Sequence, residues 1–357
     1  MRLLRAYRST GADLPFVDPT PAHPGVAMEG YFWRVTVPES GQVVIALIGV
    51  NEGPDGAWAT LGLAGHPQAS LAVAAHVGAT ADAARLGASA GTAFVADDRT
   101  VRVELGPDDR LELEVTDPVR WPSGRLGGSS VFHSVPALNQ YWHPWLLGGR
   151  AVGYAVLAGE RVDLTGGQVY GEKNWGREGF PDSWWWGQAH GFAERESCVA
   201  FAGGQVSAGP LRTEVTAVVV RLPGGRVLRW GNPVASPVTA VVGDDTWALR
   251  GRLVRPDGLW RVEVDGSAPL GDAHVLPVPL PSQGRNTAGA LEHLGGRLRV
   301  RVTRRTRPSR PAQVVWEGVS GLAGLEHGSL DLARREAIAR GAGVDATHAP
   351  PRSPTRP

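Results

Sequence analysis

Apolar and polar residues alternate over short stretches along most of the chain, as they do in strands with one buried face. Residues 101–115 alternate in this way on both sides of a turn at 107–109. The same pattern surrounds turns at 38–41, 223–225 and 256–258, each of which contains proline and glycine. The repeated hairpins predict a protein that is nearly all β, with antiparallel sheets.

Helical periodicity is clear in one place, near the C-terminal end of the chain. Ser329 is suited to cap a helix, Leu332 and Ile338 lie on one apolar stripe, and Gly341 is suited to end it. The spacing predicts one short helix near 329–340. Because residues 342–357 show no periodicity, we expect a disordered tail there.

The length and an internal repetition both bear on domain organisation. A chain of 357 residues exceeds the usual size of one domain, which favours two domains. Aromatic clusters at 29–37 and 182–192 each begin a strand and lead into a run of hairpins. We therefore expect two tandem β-barrels, the first at 20–168 and the second at 169–341, with a seam near 165–180.

Composition and charge narrow the classes of protein further. A formal net charge of +1 gives no overall attraction to nucleic acid. The one cysteine, Cys198, excludes an internal disulfide, and its apolar surroundings predict a buried, inert thiol. No apolar run is long enough to span a membrane, and residues 1–15 lack the long apolar region of a signal peptide. We expect a soluble, cytoplasmic protein without a nucleic-acid partner.

Three further patterns carry weaker signals. Residues 87–91 match the G-x-S-x-G of α/β hydrolases, but a strand-like run follows where that fold needs a helix, so a plain turn is expected. The histidines show no H-E-x-x-H and no paired-cysteine spacing, so no metal site is predicted. Residues 297–310 alternate arginine with apolar residues, which is typical of a charged edge strand. The alternative is a face that makes peripheral contact with an anionic membrane.

Two segments mix aromatic with polar residues and are more informative. The first holds Tyr141, Trp142 and His143; the second, 169–192, holds four tryptophans and Lys173, the one lysine of a chain otherwise rich in arginine. Buried polar groups need partners, so core tryptophans seldom stand among glutamate, lysine, asparagine and glutamine. An apolar pocket with a few converging polar groups is the usual form of a ligand site. The pattern predicts a pocket for a hydrophobic small molecule.

The same segments resemble the tocopherol cyclase family. The resemblance covers about residues 25–330 and rests on MEGYFWRVTVPESGQ, NQYWHPWLLGGRAVGYA, YGEKNWGREGFPDSWWWGQAHGF and VVWEGVSGLAGLEHG, in that order. Its most specific part is E-K-N-W-G followed by F-P-x-x-W-x-W-x-Q. The resemblance implies lipocalin-like barrels and a reaction that closes a chromanol ring on a prenylated quinol, without a redox cofactor or metal. It also implies a site that contains Glu29, Tyr31, Trp142, His143, Glu172, Lys173, Asn174, Trp175, Trp184, Trp186 and Gln188. From the aromatic segment, we expect Tyr141 to bind the ligand beside them.

Ring closure by alkene protonation suggests a role for each of these residues. The step needs a desolvated acid, and a carboxylic acid among indoles has a raised pKa. Glu172 is our first candidate for the acid, followed by Asp182 and Glu29. The tertiary cation would rest over the indole rings. The indole rings that stabilise the cation would be those of Trp175, Trp184 and Trp186. The quinol hydroxyl would be positioned by one of three polar residues, Asn174, His143 or Gln188.

Lys173 has two interpretations as a site residue. It is either the ion-pair partner of a carboxylate or a hydrogen-bond donor to the quinol oxygen, and a compact ammonium suits a space too narrow for a guanidinium. The alternative to both is that Lys173 has only a structural role, at the seam between the barrels. Two other functions also remain open for the whole protein: a lipid or quinone carrier without turnover, and a cyclase or hydratase that acts on another isoprenoid.

Overall fold

The computed structural model describes residues 2–209 and 211–341. It confirms an all-β fold of two tandem, lipocalin-like antiparallel barrels, followed by a short helix. The hairpins expected around 38–41, 107–109, 223–225 and 256–258 are all present as turns between paired strands. The expected disordered tail, 342–357, lies outside the described residues.

The first sheet contains twelve strands in the order β4-β3-β2-β1-β12-β10-β9-β8-β7-β6-β5, with β11 paired to β10. Its edge strand β5 packs against β2 and β3, so the sheet is nearly closed. Its strands are β1 (Met28–Val37), β2 (Gln42–Gly53), β3 (Gly56–His66), β4 (Ser70–Val77), β5 (Ala79–Ala81), β6 (Gly87–Ala90), β7 (Phe94–Asp97), β8 (Thr100–Gly106), β9 (Asp109–Arg120), β10 (Tyr141–Leu157), β11 (Glu160–Asp163) and β12 (Gln168–Gly176).

The second sheet contains ten strands in the order β16-β15-β14-β13-β22-β21-β19-β18-β17, with β20 paired to β21. Its edge strand β17 packs against β15, which curls this sheet in the same way. Its strands are β13 (Ser183–Ala189), β14 (Cys198–Ala208), β15 (Leu211–Arg221), β16 (Val227–Trp230), β17 (Val238–Val242), β18 (Thr246–Arg255), β19 (Gly258–Ser267), β20 (His274–Leu280), β21 (Arg285–Arg305) and β22 (Gln313–Ser329).

Helices are short and lie outside the sheets. The predicted C-terminal helix is α2 (Leu330–Ala339), and the Ser329 hydroxyl accepts a hydrogen bond from the Leu332 backbone, as a cap should. A helix that the sequence pattern did not predict, α1 (Arg2–Arg8), begins the chain. Three 3₁₀ turns occur at Ser130–Ser134, Leu270–Asp272 and Pro281–Gln283. No helix in the described part of the chain is long and apolar enough to cross a membrane.

The chain passes from the first sheet to the second between Gly176 and Ser183. The division expected at residue 168 would have given β12 to the second barrel, but β12 pairs with β1 and β10 of the first. Each barrel has its own core, built around Trp33 and Trp145 in the first and around Trp230 and Trp260 in the second. Tryptophans therefore fill both cores, while Trp142 and Trp186 belong to a separate cluster between the sheets.

The arginine-rich segment does not form the edge strand that its pattern suggested. It belongs to β21, which is paired on both sides, with β19 and with β22. Arg299 lies within 2.5 Å of Glu317 on β22, and Arg304 stacks over the Trp260 ring and lies 3.7 Å from Asp257. Glu317 on β22 and Asp257 in the turn before β19 therefore offset part of the charge of this exposed face.

Candidate active site

A cavity of about 190 Å³ lies between the two sheets rather than inside either barrel. Strand alternation creates it, because on β1 the side chains of Tyr31 and Trp33 enter the first barrel while Phe32 and Arg34 face the second sheet. The walls are mainly apolar and aromatic. The polar and aromatic residues of the wall include Tyr141, Trp142, Glu172, Asn174, Trp184, Trp186, Glu292 and Glu326.

Glu172 is a buried carboxyl group whose oxygen Oε2 accepts three hydrogen bonds. The donors are Tyr170 Oη at 2.6 Å and the indole nitrogens of Trp142 and Trp186, each at 2.8 Å. Trp142 comes from β10, and Trp186 comes from β13 of the second sheet, so the carboxyl group lies where the sheets meet. Burial raises the pKa of Glu172, while its three donors oppose that rise.

The three donors also decide which oxygen can carry a proton. An indole nitrogen is a donor only, so it must face a lone pair and not a hydroxyl hydrogen. Two indoles and a phenol occupy the lone pairs of Oε2. When Glu172 is neutral, a proton on Oε1 is the arrangement that keeps all three hydrogen bonds to Oε2.

Lys173 points in the opposite direction from its neighbour and takes no part in the cavity wall. Its ammonium group is fully buried, 3.3 Å from Glu29 Oε1 and 3.1 Å from His23 Nδ1. It also donates to the backbone oxygens of residues 19–21, the closest at 2.9 Å from Pro21. Lys173 is thus the ion-pair partner of a carboxylate in the structure, and its ammonium group does not reach the cavity.

Glu29 belongs to the same sealed cluster and is not in contact with the cavity. Its oxygens accept hydrogen bonds from Tyr31 Oη at 2.8 Å and from the His23 backbone. Although burial disfavours its ionisation, Lys173 and His23 lower the pKa of Glu29 to about 2. Glu29 is therefore a carboxylate at neutral pH, which removes it as a candidate acid.

The cause of this arrangement is that β12 is buried on both faces. One face meets the second sheet, while the N-terminal segment covers the other, where Trp175 donates to the Gly11 oxygen at 2.7 Å and stacks on His23 and Tyr141. Trp175 therefore packs under the N-terminal segment and does not contribute to the cavity wall. Tyr31 and Tyr141 border the cavity, but their hydroxyl groups point away, towards Glu29 and towards the Val135 oxygen.

Three other predicted site residues lie outside the cavity. Asp182 is exposed in the connection between β12 and β13, so it is not a desolvated acid. His143 is buried beside Trp121 and His133, and burial lowers its pKa well below the usual range. Gln188 is buried and accepts a hydrogen bond from Arg34 at 3.0 Å.

Asn174, Trp142, Trp184 and Trp186 line the cavity. Asn174 is the polar member of this set, and its Oδ1 is buried without a hydrogen-bond partner in the described residues. It stands opposite Gly30, where an added Cβ atom would lie 2.1 Å from Oδ1. The glycine leaves room for the amide, whose oxygen is free to accept a hydrogen bond from a ligand.

Two carboxyl groups that sequence reasoning missed, Glu292 and Glu326, complete the cavity wall. They are register partners on β21 and β22, and burial raises the pKa of Glu326 to about 7. Trp184 Nε1 donates to Glu326 Oε1. A signal was present, since L-E-H occurs twice in apolar, glycine-rich strands, at 291–293 and 325–327. Their proximity, however, depends on a pairing between distant parts of the chain.

Arg34 joins the sheets beneath the cavity. From β1 it donates to Gln188 and, at 2.8 and 2.7 Å, to the backbone oxygens of Leu294 and Leu322 in the second sheet. Within residues 2–209 and 211–341, no ion pair involves this guanidinium, and no group of three or more His, Cys, Asp or Glu side chains is arranged to hold a metal. Cys198 is buried nearby, and burial raises its pKa to about 12, consistent with an inert thiol.

Comparison with known proteins relates this chain to one protein family. A family model described as tocopherol cyclase-like matches residues 119–329, more than half of the chain. A probable chloroplastic tocopherol cyclase of Oryza sativa subsp. japonica is 37% identical over 71 residues, 19% of this chain and 15% of that protein. The chloroplastic tocopherol cyclase of Zea mays is 32% identical over 84 residues, 23% of this chain and 18% of that protein. The chain thus matches less than a fifth of the length of either relative.

Among solved structures, CghA with Sch210972 resembles this fold with a TM-score of 0.50 and 13% identity, over 89% of this chain and 94% of that one. The fold and the cavity therefore define an all-β, two-barrel protein with a buried acidic and aromatic site between its sheets. The match over 119–329 is decisive for the family: the chain belongs to the tocopherol cyclase-like family.

Proposed function

We propose that this protein is an enzyme that closes a chromanol ring on a prenylated quinol by protonating an alkene, without a cofactor. Membership of the tocopherol cyclase-like family supports the class of reaction. The observation that carries the proposal is the Glu172 carboxyl group, buried in an apolar cavity with three donors on one oxygen. The other support is the mainly apolar wall, which suits an isoprenoid tail.

Glu172 has the two properties that a general acid for an alkene requires. Burial raises its pKa, which favours the neutral form that holds a proton. Tyr170, Trp142 and Trp186 already donate to Oε2, which shares the negative charge of the carboxylate once the proton has left. Such preorganised donors stabilise the charge that develops in the transition state. In this proposal the acid reacts from its neutral form and becomes a stabilised carboxylate.

The remaining groups of the wall suit the later steps. The tertiary cation formed by protonation would lie among the Trp142, Trp184 and Trp186 rings, and a desolvated cation–π contact contributes about 2 kcal/mol. The Asn174 oxygen, which has no partner in the described residues, offers an acceptor for a quinol hydroxyl group. Ring closure then forms the carbon–oxygen bond and releases the hydroxyl proton.

Isotope labelling tests the proposal directly. The protein would be incubated with a prenylated methylquinol in heavy water, and the chromanol analysed by mass spectrometry and NMR. We expect one deuterium on the ring carbon next to the ether carbon. A chromanol without deuterium would exclude alkene protonation. Binding without turnover over a panel of prenyl quinols would instead identify a lipid or quinone carrier, and turnover of another isoprenoid would identify a different cyclase or hydratase.

We further propose that the reaction takes place in the cytoplasm of a bacterial cell, at the surface of the membrane that holds the prenyl quinol. The support is the hydrophobic character expected of the ligand, since a prenyl tail partitions into lipid. The exposed arginine face of β21 is the surface that we expect to make this peripheral contact.

A further inference from the structure

The carboxyl groups of Glu292 and Glu326 face each other across neighbouring strands in the wall of the cavity. The two residues are direct register partners on β21 and β22, and both line the space that Glu172 lines. Glu292 is 1% exposed, and neither of its oxygens has a hydrogen-bond partner in the described residues. Glu326 differs in one respect, because Trp184 donates to its Oε1.

A buried carboxyl group without a partner is costly, so it needs an explanation. Arg34 is the buried cation that influences Glu292, but its two terminal nitrogens donate to Thr36, Gln188 and two backbone oxygens, and its Nε makes no hydrogen bond to Glu292. Protonation of the Glu292 carboxyl group lowers the free-energy cost of burying it. Burial and the charge of Glu326 raise the pKa of Glu292 well above its ordinary value. The oxygens of Glu292 are then acceptors directed into the cavity, without a protein donor to meet them.

We propose that Glu292 and Glu326 form the hydroxyl-binding subsite of the cavity and that Glu326 accepts the proton of the attacking hydroxyl group. This inference rests on the cyclisation proposed above and deepens it. Glu292 keeps the proton of the pair, because it receives no donor, and Glu326 is the ionised member, because Trp184 stabilises its carboxylate. Two close carboxyl groups that share one proton are a known device for separating the roles of acid and base.

The proposed steps balance without a co-reactant. The O–H bond of the ligand breaks, its proton goes to Glu326, and its oxygen forms the new bond to the tertiary carbon. Glu172 has meanwhile given its proton to the neighbouring alkene carbon. The cycle closes when a proton returns from Glu326 to Glu172 after the product leaves. The net reaction is an isomerisation, in which no group is oxidised or reduced.

The other candidates in the wall do not replace this pair. An amide such as that of Asn174 accepts a hydrogen bond but not a proton at neutral pH. Glu172 holds the proton that the alkene receives, so it is not a base in the same step. A quinol has two hydroxyl groups, and the cavity presents two sets of acceptors without protein donors, Asn174 on the first sheet and Glu292 on the second.

The binding part of the proposal is tested with ligands that cannot react. The probes are a prenyl quinol with a saturated side chain and its methyl ether at the attacking hydroxyl, with affinity measured by quenching of tryptophan fluorescence. Because a hydrogen bond to a buried acceptor adds to the free energy of binding, we expect the wild type to bind the hydroxyl probe about tenfold or more tightly than the methyl ether. Glu292→Leu should weaken this preference, because one of the two carboxyl groups of the subsite is lost. Glu317→Gln, which changes an exposed carboxylate on β22, should retain it.

The proton-transfer part is tested with a second variant that keeps the shape of the site. A base must be ionised, so wild-type turnover should rise with pH through the region near 7, and Glu326→Gln should lose this rise together with about 10²-fold or more in kcat. Circular dichroism verifies folding. The inference is overturned if the wild type does not discriminate between the probes, if Glu292→Leu keeps the full preference, or if Glu326→Gln keeps the wild-type rate and profile. Because the probes are unreactive, failure of the cyclisation itself would appear separately, as an absence of turnover.

Discussion

Glu172 and Lys173 are adjacent in the chain, yet their charged groups lie on opposite faces of β12. The Glu172 carboxyl group lines the cavity between the sheets, while the Lys173 ammonium is sealed beneath residues 19–23, within 3.3 Å of Glu29. The two groups therefore belong to separate electrostatic environments. The first faces the cavity in which we propose that the reaction takes place, and the second holds the N-terminal segment against the first barrel.

The first prediction concerns Glu172→Gln. Glutamine keeps the shape of the side chain and an oxygen for the donors of Oε2, but it has no acidic proton to deliver. General acid catalysis typically contributes 10² to 10⁴ in rate, so kcat should fall by about that factor while quinol binding persists. Single-turnover assays and fluorescence titration measure the two effects separately.

A matched control for this variant is Glu114→Gln, on an exposed position of β9 in the same sheet. It should leave kcat unchanged. Full activity in Glu172→Gln would contradict the assignment of this residue as the acid and would direct attention to Glu292, the other carboxyl group of the wall that is expected to be neutral at rest.

The fold was predictable because its signals are local. Alternation and turn residues define hairpins such as β8–β9, whose two strands are consecutive in the chain. Part of the site was predictable for a similar reason, since Glu172 and Trp186 belong to one short, unusual segment. Aromatic and acidic residues so close together in a strand indicate a pocket without any knowledge of long-range pairing.

The rest of the site depends on information that a local pattern lacks. Because both faces of β12 are buried, polarity does not reveal which of Glu172, Lys173 and Trp175 faces the ligand space. The opposition of Glu292 and Glu326 arises from the register of β21 with β22, which the sequence of neither strand specifies alone. Side-chain direction and strand register are thus the two properties that only the structure supplied.

The second prediction concerns the donors to Glu172, tested with Trp142→Phe and Trp186→Phe. Each change removes a hydrogen bond that lowers the pKa of Glu172, so that pKa should rise. The acid works in its protonated form, and activity is lost as pH rises through the pKa. The alkaline limb of the pH–rate profile should therefore move to higher pH.

The same two variants should also show a lower maximal rate, because the carboxylate formed during proton transfer loses a preorganised donor. Trp230→Phe is the matched control, since Trp230 belongs to the core of the second barrel and not to the cavity wall, and its indole nitrogen has no hydrogen-bond partner in the described part of the chain. A shift of the alkaline limb to lower pH would contradict the proposed role of these donors.

The third prediction concerns a membrane surface. If the exposed face of β21 makes peripheral contact with anionic lipid, the wild type should sediment with phosphatidylglycerol vesicles at low salt. The protein should dissociate from the vesicles as salt is added, because the attraction between exposed charges is screened over about 10 Å at 0.1 M ionic strength. Replacing Arg299, Arg301 and Arg304 by glutamine should abolish sedimentation without unfolding the protein. Because Glu317 and Asp257 already pair with this face, the attraction should be weak, and unchanged binding of the triple variant would exclude the surface.

The fourth prediction concerns Lys173 and Glu29. Lys173→Met leaves the Glu29 carboxylate buried without its cation, and breaking a buried ion pair typically costs about 3 to 5 kcal/mol in the free energy of unfolding. Adding Glu29→Gln removes the uncompensated charge, so denaturant unfolding of the double variant should show a smaller loss than the sum of the single losses.

The pH dependence of stability gives an independent measure of the same pair. The pKa of Glu29 is about 2 in the folded protein and near its ordinary value of 4.5 when unfolded, so the unfolded state binds the proton more readily. The stability contributed by this ionised group is fully present above 4.5 and is lost as pH falls from there through 2. Urea unfolding at a series of pH values should show this loss in the wild type. Glu29→Gln, which does not titrate, should show a shallower dependence in that window, and an identical slope would mean that Glu29 is not held as a carboxylate by Lys173 and His23.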